Sequence, residues 1–195
     1  GSDRYKLHDL AADYVRAQLN PTARTALYFI HAGHYWHVAR EARGFYVESN
    51  AVDGLALFDR ERVQIEAAYA WLAGHDTEAA VAGTFLLVNA VAYFGDLRFH
   101  PRQQIAWLES QLRAARVVKD KQCDASVLGN LGSAHMNLCD VRKAIGFYEQ
   151  QLVIVREIGD RSGEGNALGN LGVAHKNLGD VRKAIEFYEQ QLAID

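Results

Sequence analysis

The chain has 195 residues, 49% of them apolar, enough to bury a continuous core as one ordinary domain or a short repeat array. Its net charge of −3 comes from acidic and basic residues interspersed along the sequence, so there is no basic stripe for phosphates or an anionic membrane, and neither nucleic acid nor membrane is expected as a partner. Its apolar stretches are interrupted by charge or glycine short of the ~20 residues that span a bilayer, and no signal peptide opens the chain, so a cytoplasmic location is expected.

Apolar residues recur at helical spacing nearly throughout, and no useful run alternates at period two, which predicts an all-α fold. Asn20-Pro21 separates a predicted helix over Leu7 to Leu19 from a second over Thr22 to Arg43, because proline suits a first turn and not a helix interior. Gly44 and "SNAVDG" at 49–54 read as a loosened connection, and the next helix is expected to follow Asp59 as its cap. "GHD" at 74–76 ends that helix; Asp76 or Thr77 caps another, expected to reach Phe94. "GDLRFHP" reads as a loop, and Pro101 suits the first turn of a helix reaching Lys119.

From 121 onward the chain repeats itself: "LGNLGSAHMNLCDVRKAIGFYEQQL" at 128–152 returns as "LGNLGVAHKNLGDVRKAIEFYEQQL" at 168–192, a period of forty and the signature of a solenoid. "IAWLESQLRAARVVKD" at 105–120 matches "IGFYEQQLVIVREIGD" at 145–160 at the same offset, so a degenerate repeat precedes the two good ones. Its inter-helix loop is expected to be four residues longer. The two cysteines, Cys123 and Cys139, lie sixteen positions apart, ~24 Å along one helix at ~1.5 Å per residue, and are expected to be reduced.

The repeats resemble the tetratricopeptide repeat family through Leu168, Leu171, Gly172, His175, Gly179, Asp180, Ala184 and Tyr188, and through Leu128, Leu131, Gly132, His135, Cys139, Asp140, Ala144 and Tyr148. They depart from it in the histidine at an aromatic slot, in Gln151 and Gln191 at a small-residue slot, and in the long period, which resembles that of kinesin light chains and Pins-type spindle adaptors. The resemblance implies a helical-hairpin solenoid, a TPR superhelix, whose first helices line a concave groove for a protein or peptide. The groove positions it implies are Ser126, Asn130, Ser133, Met136 and Asn137, and then Asn166, Asn170, Val173, Lys176 and Asn177. Between the copies the stacking positions hold, while Ser126, Ser133 and Met136 become Asn166, Val173 and Lys176. The unchanged asparagines offer donor and acceptor together, which suits a peptide backbone; hydration or bonding within their own helix is the plainer alternative.

"RYKLHDLAADYVRAQL" at 4–19 resembles the end of the winged-helix domain of bacterial NB-ARC-type signalling ATPases (STAND NTPases), and "HAGHY", "GLALFDRERVQIEAAYAWL" and "LRFHPRQQIAWLE" follow in the order seen there. The resemblance implies that His8, beside Asp9, is a remnant of a nucleotide-sensing site. It also implies a division into 1–20 as the winged-helix remnant, 21–75 as an α-helical linker region, 76–120 as a degenerate TPR-like repeat, 121–160 as a TPR and 161–195 as a truncated one. No GxxxxGK[ST] loop occurs, so the expectation is a non-enzymatic region whose parent is an ATPase.

Other chemistry finds less support. His31, His34 and His37, with Glu41 on the same side, are candidate zinc ligands; their place beside the apolar stripe favours solvated or interface histidines, and no cofactor is expected. His135 and His175 fall on the stacking stripe, with pH sensing as the sharper alternative. No nucleophile–base pair, CxxC or HExxH occurs. The reading is therefore a binding sensor or scaffold region of an NB-ARC/TPR signalling ATPase, with a small-molecule-sensing STAND regulator as the alternative. The opening Gly1-Ser2 and the end at Asp195 inside the repeat lead us to expect a piece of a longer protein, and Ile185, Tyr188 and Leu192 on the last helix to expect end-to-end self-association.

Overall fold

The computed structural model describes residues 18–194. The predicted helix over Leu7 to Leu19, apart from its last two residues, lies outside them. The described residues form eight α-helices and no strand: α1 (Pro21–Gly44), α2 (Ala51–Ala73), α3 (Glu78–Arg98), α4 (Pro101–Val118), α5 (Lys121–Asn137), α6 (Val141–Ile158), α7 (Arg161–Asn177) and α8 (Val181–Leu192). A π-helical turn, Phe45–Ser49, carries α1 on to Asn50. Each helix packs on the next, and α1 also meets α3 while α5 meets α7. The chain is thus a row of four helix pairs, with the first helices of the first two pairs in contact and those of the last two in contact.

The boundaries follow local chemistry. Asn20 accepts from the Ala23 amide at 2.8 Å and Pro21 opens α1. The helix expected after Asp59 starts earlier, because Asn50 caps it: its side chain accepts from Val52 N at 3.0 Å and donates to Asp53 at 2.8 Å. Asp59 instead lies inside α2 and pairs with Arg98 at 2.7 Å. Gly54, which read as a breaker, sits in α2 for a different reason. A Cβ there would lie 2.6 Å from the Ala42 carbonyl oxygen, so the glycine is what lets α2 cross close over the end of α1.

Thr77 is the cap of α3, accepting from Ala80 N at 3.3 Å. The expected "GDLRFHP" loop is mostly helix: α3 runs to Arg98 and only Phe99 and His100 separate it from α4. The four extra residues of the degenerate repeat are therefore one more helical turn, α3 having 21 residues where α5 and α7 have 17. By composition the stretch Glu78–Gly95 is long and apolar enough to cross a membrane. Here it is the core helix of the front half, with Leu87, Val88, Val91 and Phe94 buried.

The front core centres on Phe58 and Phe94, both fully buried and stacked at 4.4 Å between centroids. Behind it, Tyr69 stacks on Trp107 at 3.9 Å and its hydroxyl donates to the Ala106 carbonyl at 3.0 Å. The repeats continue the core with Leu128, Leu131, Leu168 and Leu171, all fully buried.

The forty-residue period is visible in the backbone. Asp120 and Asp160 cap α5 and α7 through the amides of Cys123 and Gly163, each at 2.9 Å. The C-terminal turns of α5 and α7 pass through the left-handed region at Cys139 (φ 60°) and Gly179 (φ 80°). Glycine adopts this conformation freely and other residues at a cost, so Cys139→Gly should raise stability by about 1 kcal/mol, read as an upward shift of the urea midpoint. Asp160 also accepts from Gln122 at 2.9 Å. The Gly163 amide, followed by the Gln122 amide, holds its carboxyl below the usual carboxylate range. A carboxyl with a lowered folded-state value contributes stability that is full above its unfolded value and lost as pH falls through the folded one. Asp160→Ala should therefore lower the thermal midpoint at neutral pH, and the difference from wild type should shrink on acidification.

Candidate functional site

The two faces of α5 and α7 are chemically distinct. Leu128, Leu131, Gly132 and His135 are buried, as are Leu168, Leu171, Gly172 and His175. Opposite them Ser126, Asn130, Ser133 and Asn137 are exposed in α5, with Met136 half-buried against the core. In α7, Asn166, Val173, Lys176 and Asn177 are exposed and Asn170 is half-buried. Ser126 and Ser133, which become Asn166 and Val173, thus stand on the solvent side, while the buried Leu128, Leu131, Gly132 and His135 recur as Leu168, Leu171, Gly172 and His175; two other buried positions do change, Ala125 to Gly165 and Val127 to Ala167. Ser133 donates to the Gly129 carbonyl at 3.1 Å and lies 3.3 Å from the Tyr148 hydroxyl.

The small residues of this face explain how the second helices approach it. A Cβ on Gly132 would lie 2.3 Å from the Tyr148 ring, and one on Gly172 2.4 Å from the Tyr188 ring. Gly129 and Gly169 bear the same relation to the carboxamides of Gln151 and Gln191, at 2.7 and 2.9 Å. The glutamines that departed from the family pattern are therefore seated on glycines, a pairing between helices that the sequence showed only as two separate oddities. Burial pushes the Tyr148 phenol up, with the Ser133 hydrogen bond acting the other way. The same slot one period earlier is Gln111, buried and donating to Asn89 Oδ1 at 2.6 Å.

Asn130 and Ser133 also form one wall of a cavity of about 160 Å3 between α3, α4 and α5. Its floor includes Val88, Val91, Phe99, Trp107 and Leu108, and Gln104 and Gln111 line it as well. A larger open cleft of about 630 Å3 lies between α1 and α2, with His34, Tyr35, Glu41, Phe45, Asp53 and Glu61 among its lining.

The candidate zinc histidines are spread over separate contacts. His31 Nε2 lies 3.0 Å from Gln64 Oε1, His34 packs edge-on to Tyr35, and His37 lies against Trp36. Among the described residues no three His, Cys, Asp or Glu side chains gather as a metal would require. His135 and His175 stack on Phe147 and Phe187 at 5.3 and 5.4 Å, with Nδ1 3.7 and 3.8 Å from Asp140 and Asp180. They hold each first helix to the second from the buried side, away from the exposed asparagines. Asp140 is kept below the usual carboxylate range, first by its bond to Lys143, with His135 a smaller contribution. Cys123 is half-buried and Cys139 exposed, both free, and burial with Asp120 and Asp124 nearby raises the Cys123 thiol to about 11. His8 and Asp9 lie outside the described residues.

Residues 123–195 match the tetratricopeptide repeat family. No curated protein matches the chain. Among solved structures, it is similar to aspartyl phosphate phosphatase F from Bacillus subtilis (14% identity, TM-score 0.58, covering 83% of this chain and 40% of that one). It is similar to a signal transduction ATPase with numerous domains carrying a tetratricopeptide repeat sensor, from Pyrococcus horikoshii (14%, 0.57, 95% and 26%). It is also similar to putative kinesin light chain TPR-like repeats from Podosopora anserina (19%, 0.57, 84% and 76%). At these identities the likeness speaks for the fold alone. The chain spans only about two fifths of the phosphatase and a quarter of the ATPase. Fold and repeat pattern agree: the chain is an all-α solenoid of TPR-like helix pairs, in which 123–195 match tetratricopeptide repeats.

Proposed function

We propose that this chain is the protein- or peptide-binding sensor or scaffold region of an NB-ARC-type STAND ATPase located in the cytoplasm. It binds a partner on the groove face of its first helices and relays occupancy to a nucleotide-binding module elsewhere in the parent. The observation that carries the reading is the split between the two faces of α5 and α7. Asn130 and Asn170 recur on the solvent side, where Ser126 and Ser133 beside them become Asn166 and Val173, while the buried leucine, glycine and histidine set at 128, 131, 132 and 135 is kept at 168, 171, 172 and 175. A face built only for solubility has no need of the same carboxamide at the same step. The likeness in fold, over 95% of this chain, to the Pyrococcus horikoshii STAND protein that carries a tetratricopeptide repeat sensor is compatible with a place in such a parent. The chain's role in this reading is recognition, and the chemistry belongs to the parent.

A pull-down with the full-length parent tests it. Asn130→Ala and Asn170→Ala together should deplete the captured protein. Unchanged protein capture would contradict the groove reading and favour small-molecule sensing.

A further inference from the structure

We propose that the cavity between α3, α4 and α5 is a socket for a single uncharged apolar side chain of the bound peptide, aromatic or leucine-like; this rests on the groove reading. Size limits the occupant first. About 160 Å3 is close to the ~150 Å3 that accepts a benzene ring, and well below the roughly 300 Å3 at which sites for drug-sized ligands begin. One side chain fills it, and a drug-sized ligand would have to extend out of its open mouth.

Charge limits it next. None of the residues lining the cavity is charged, so a carboxylate, phosphate or ammonium entering it would lose its hydration with no counter-ion. The floor is preformed: Trp107 is held between Tyr69, at 3.9 Å, and Phe99, at 4.8 Å. A socket whose aromatic floor is already fixed loses little entropy when filled. Asn130 and Ser133 stand at its α5 wall, where the Asn130 carboxamide can meet the peptide backbone beside the inserted residue while the Ser133 hydroxyl is engaged by the Gly129 carbonyl. The next copy has Val173 in place of Ser133, so the socket belongs to the junction of the degenerate repeat with the first good one.

Two probes test this on the whole chain. The first is 4-fluorotoluene, followed by fluorine NMR. It should bind wild type saturably and lose that binding in Ala92→Leu and in Ser133→Leu, which fill the cavity from α3 and from α5 at exposed positions. Undiminished binding in both variants, with wild-type circular dichroism, overturns the socket. The second is a library of random peptides of about twelve residues selected on the wild-type chain. The selected peptides should share one aromatic or leucine residue. Its change to alanine should weaken binding at least about tenfold in wild type and have no further effect in Ala92→Leu. Peptides weakened by Asn170→Ala but indifferent to Ala92→Leu would overturn the socket and leave the groove reading standing. A selection that yields no binder would overturn both.

Discussion

Gly132→Val should destabilise the chain by about 3 kcal/mol, while Gly146→Ala in the neighbouring helix should stabilise it by about 0.5–1 kcal/mol. Both are helix-interior glycines, and by propensity alone either substitution would help or be nearly neutral. The difference lies in what the new atoms meet. At Gly132 a Cβ already falls 2.3–2.7 Å from three atoms of the Tyr148 ring, and that ring is 3% exposed, packed with Ala144 and Leu152 in the repeat core. It cannot retreat without opening the contact between α5 and α6. At Gly146 nothing lies within 4 Å of the added atom, and the next copy has Glu186 there. Urea denaturation of both variants gives the answer: midpoints moving in opposite directions support the ring-on-glycine lock, and midpoints moving together refute it.

The double change Asn130→Ala with Asn170→Ala should weaken binding of a groove partner about thirtyfold while leaving the unfolding midpoint within about 0.5 kcal/mol of wild type. Each carboxamide that bonds a peptide backbone contributes about 1 kcal/mol, roughly fivefold in affinity, and two well-separated positions add. The stability arm separates recognition from folding: Asn130 is exposed and Asn170 half-buried, and surface substitutions of this kind leave the core intact. Titration calorimetry with a partner or selected peptide measures the affinity. A loss of affinity accompanied by an equal loss of stability would instead mean that the asparagines hold their own helices together.

Much of the architecture was legible because it depends on local rules. Pro21 and Pro101 open helices where a first turn tolerates them, and the forty-residue period carried the helix-pair pattern from one copy to the next. The errors came from residues whose meaning depends on a distant helix. Gly54 looked like a break and is a close crossing over Ala42; only the packing of α2 on α1 reveals it. "GDLRFHP" looked like a loop, but with no proline before 101 the helix keeps propagating, and the core holds Phe94 and Phe99 along it. The exposed asparagine face followed from the helical wheel. Gly129, next to Asn130 in the chain, is buried, because Gln151 covers it. The 160 Å3 cavity left no trace in the sequence, since its walls come from three helices belonging to two repeats.

Site-specific photo-crosslinking locates the recognition surface most directly. A benzophenone amino acid in place of Val173, on the α7 face beside Asn170, is compared with one in place of Val153, an exposed residue of α6 in the second-helix layer. With the full-length parent in its own cell extract, the account predicts a discrete partner adduct through position 173 and none through 153. An adduct through 153 with none through 173 would contradict it.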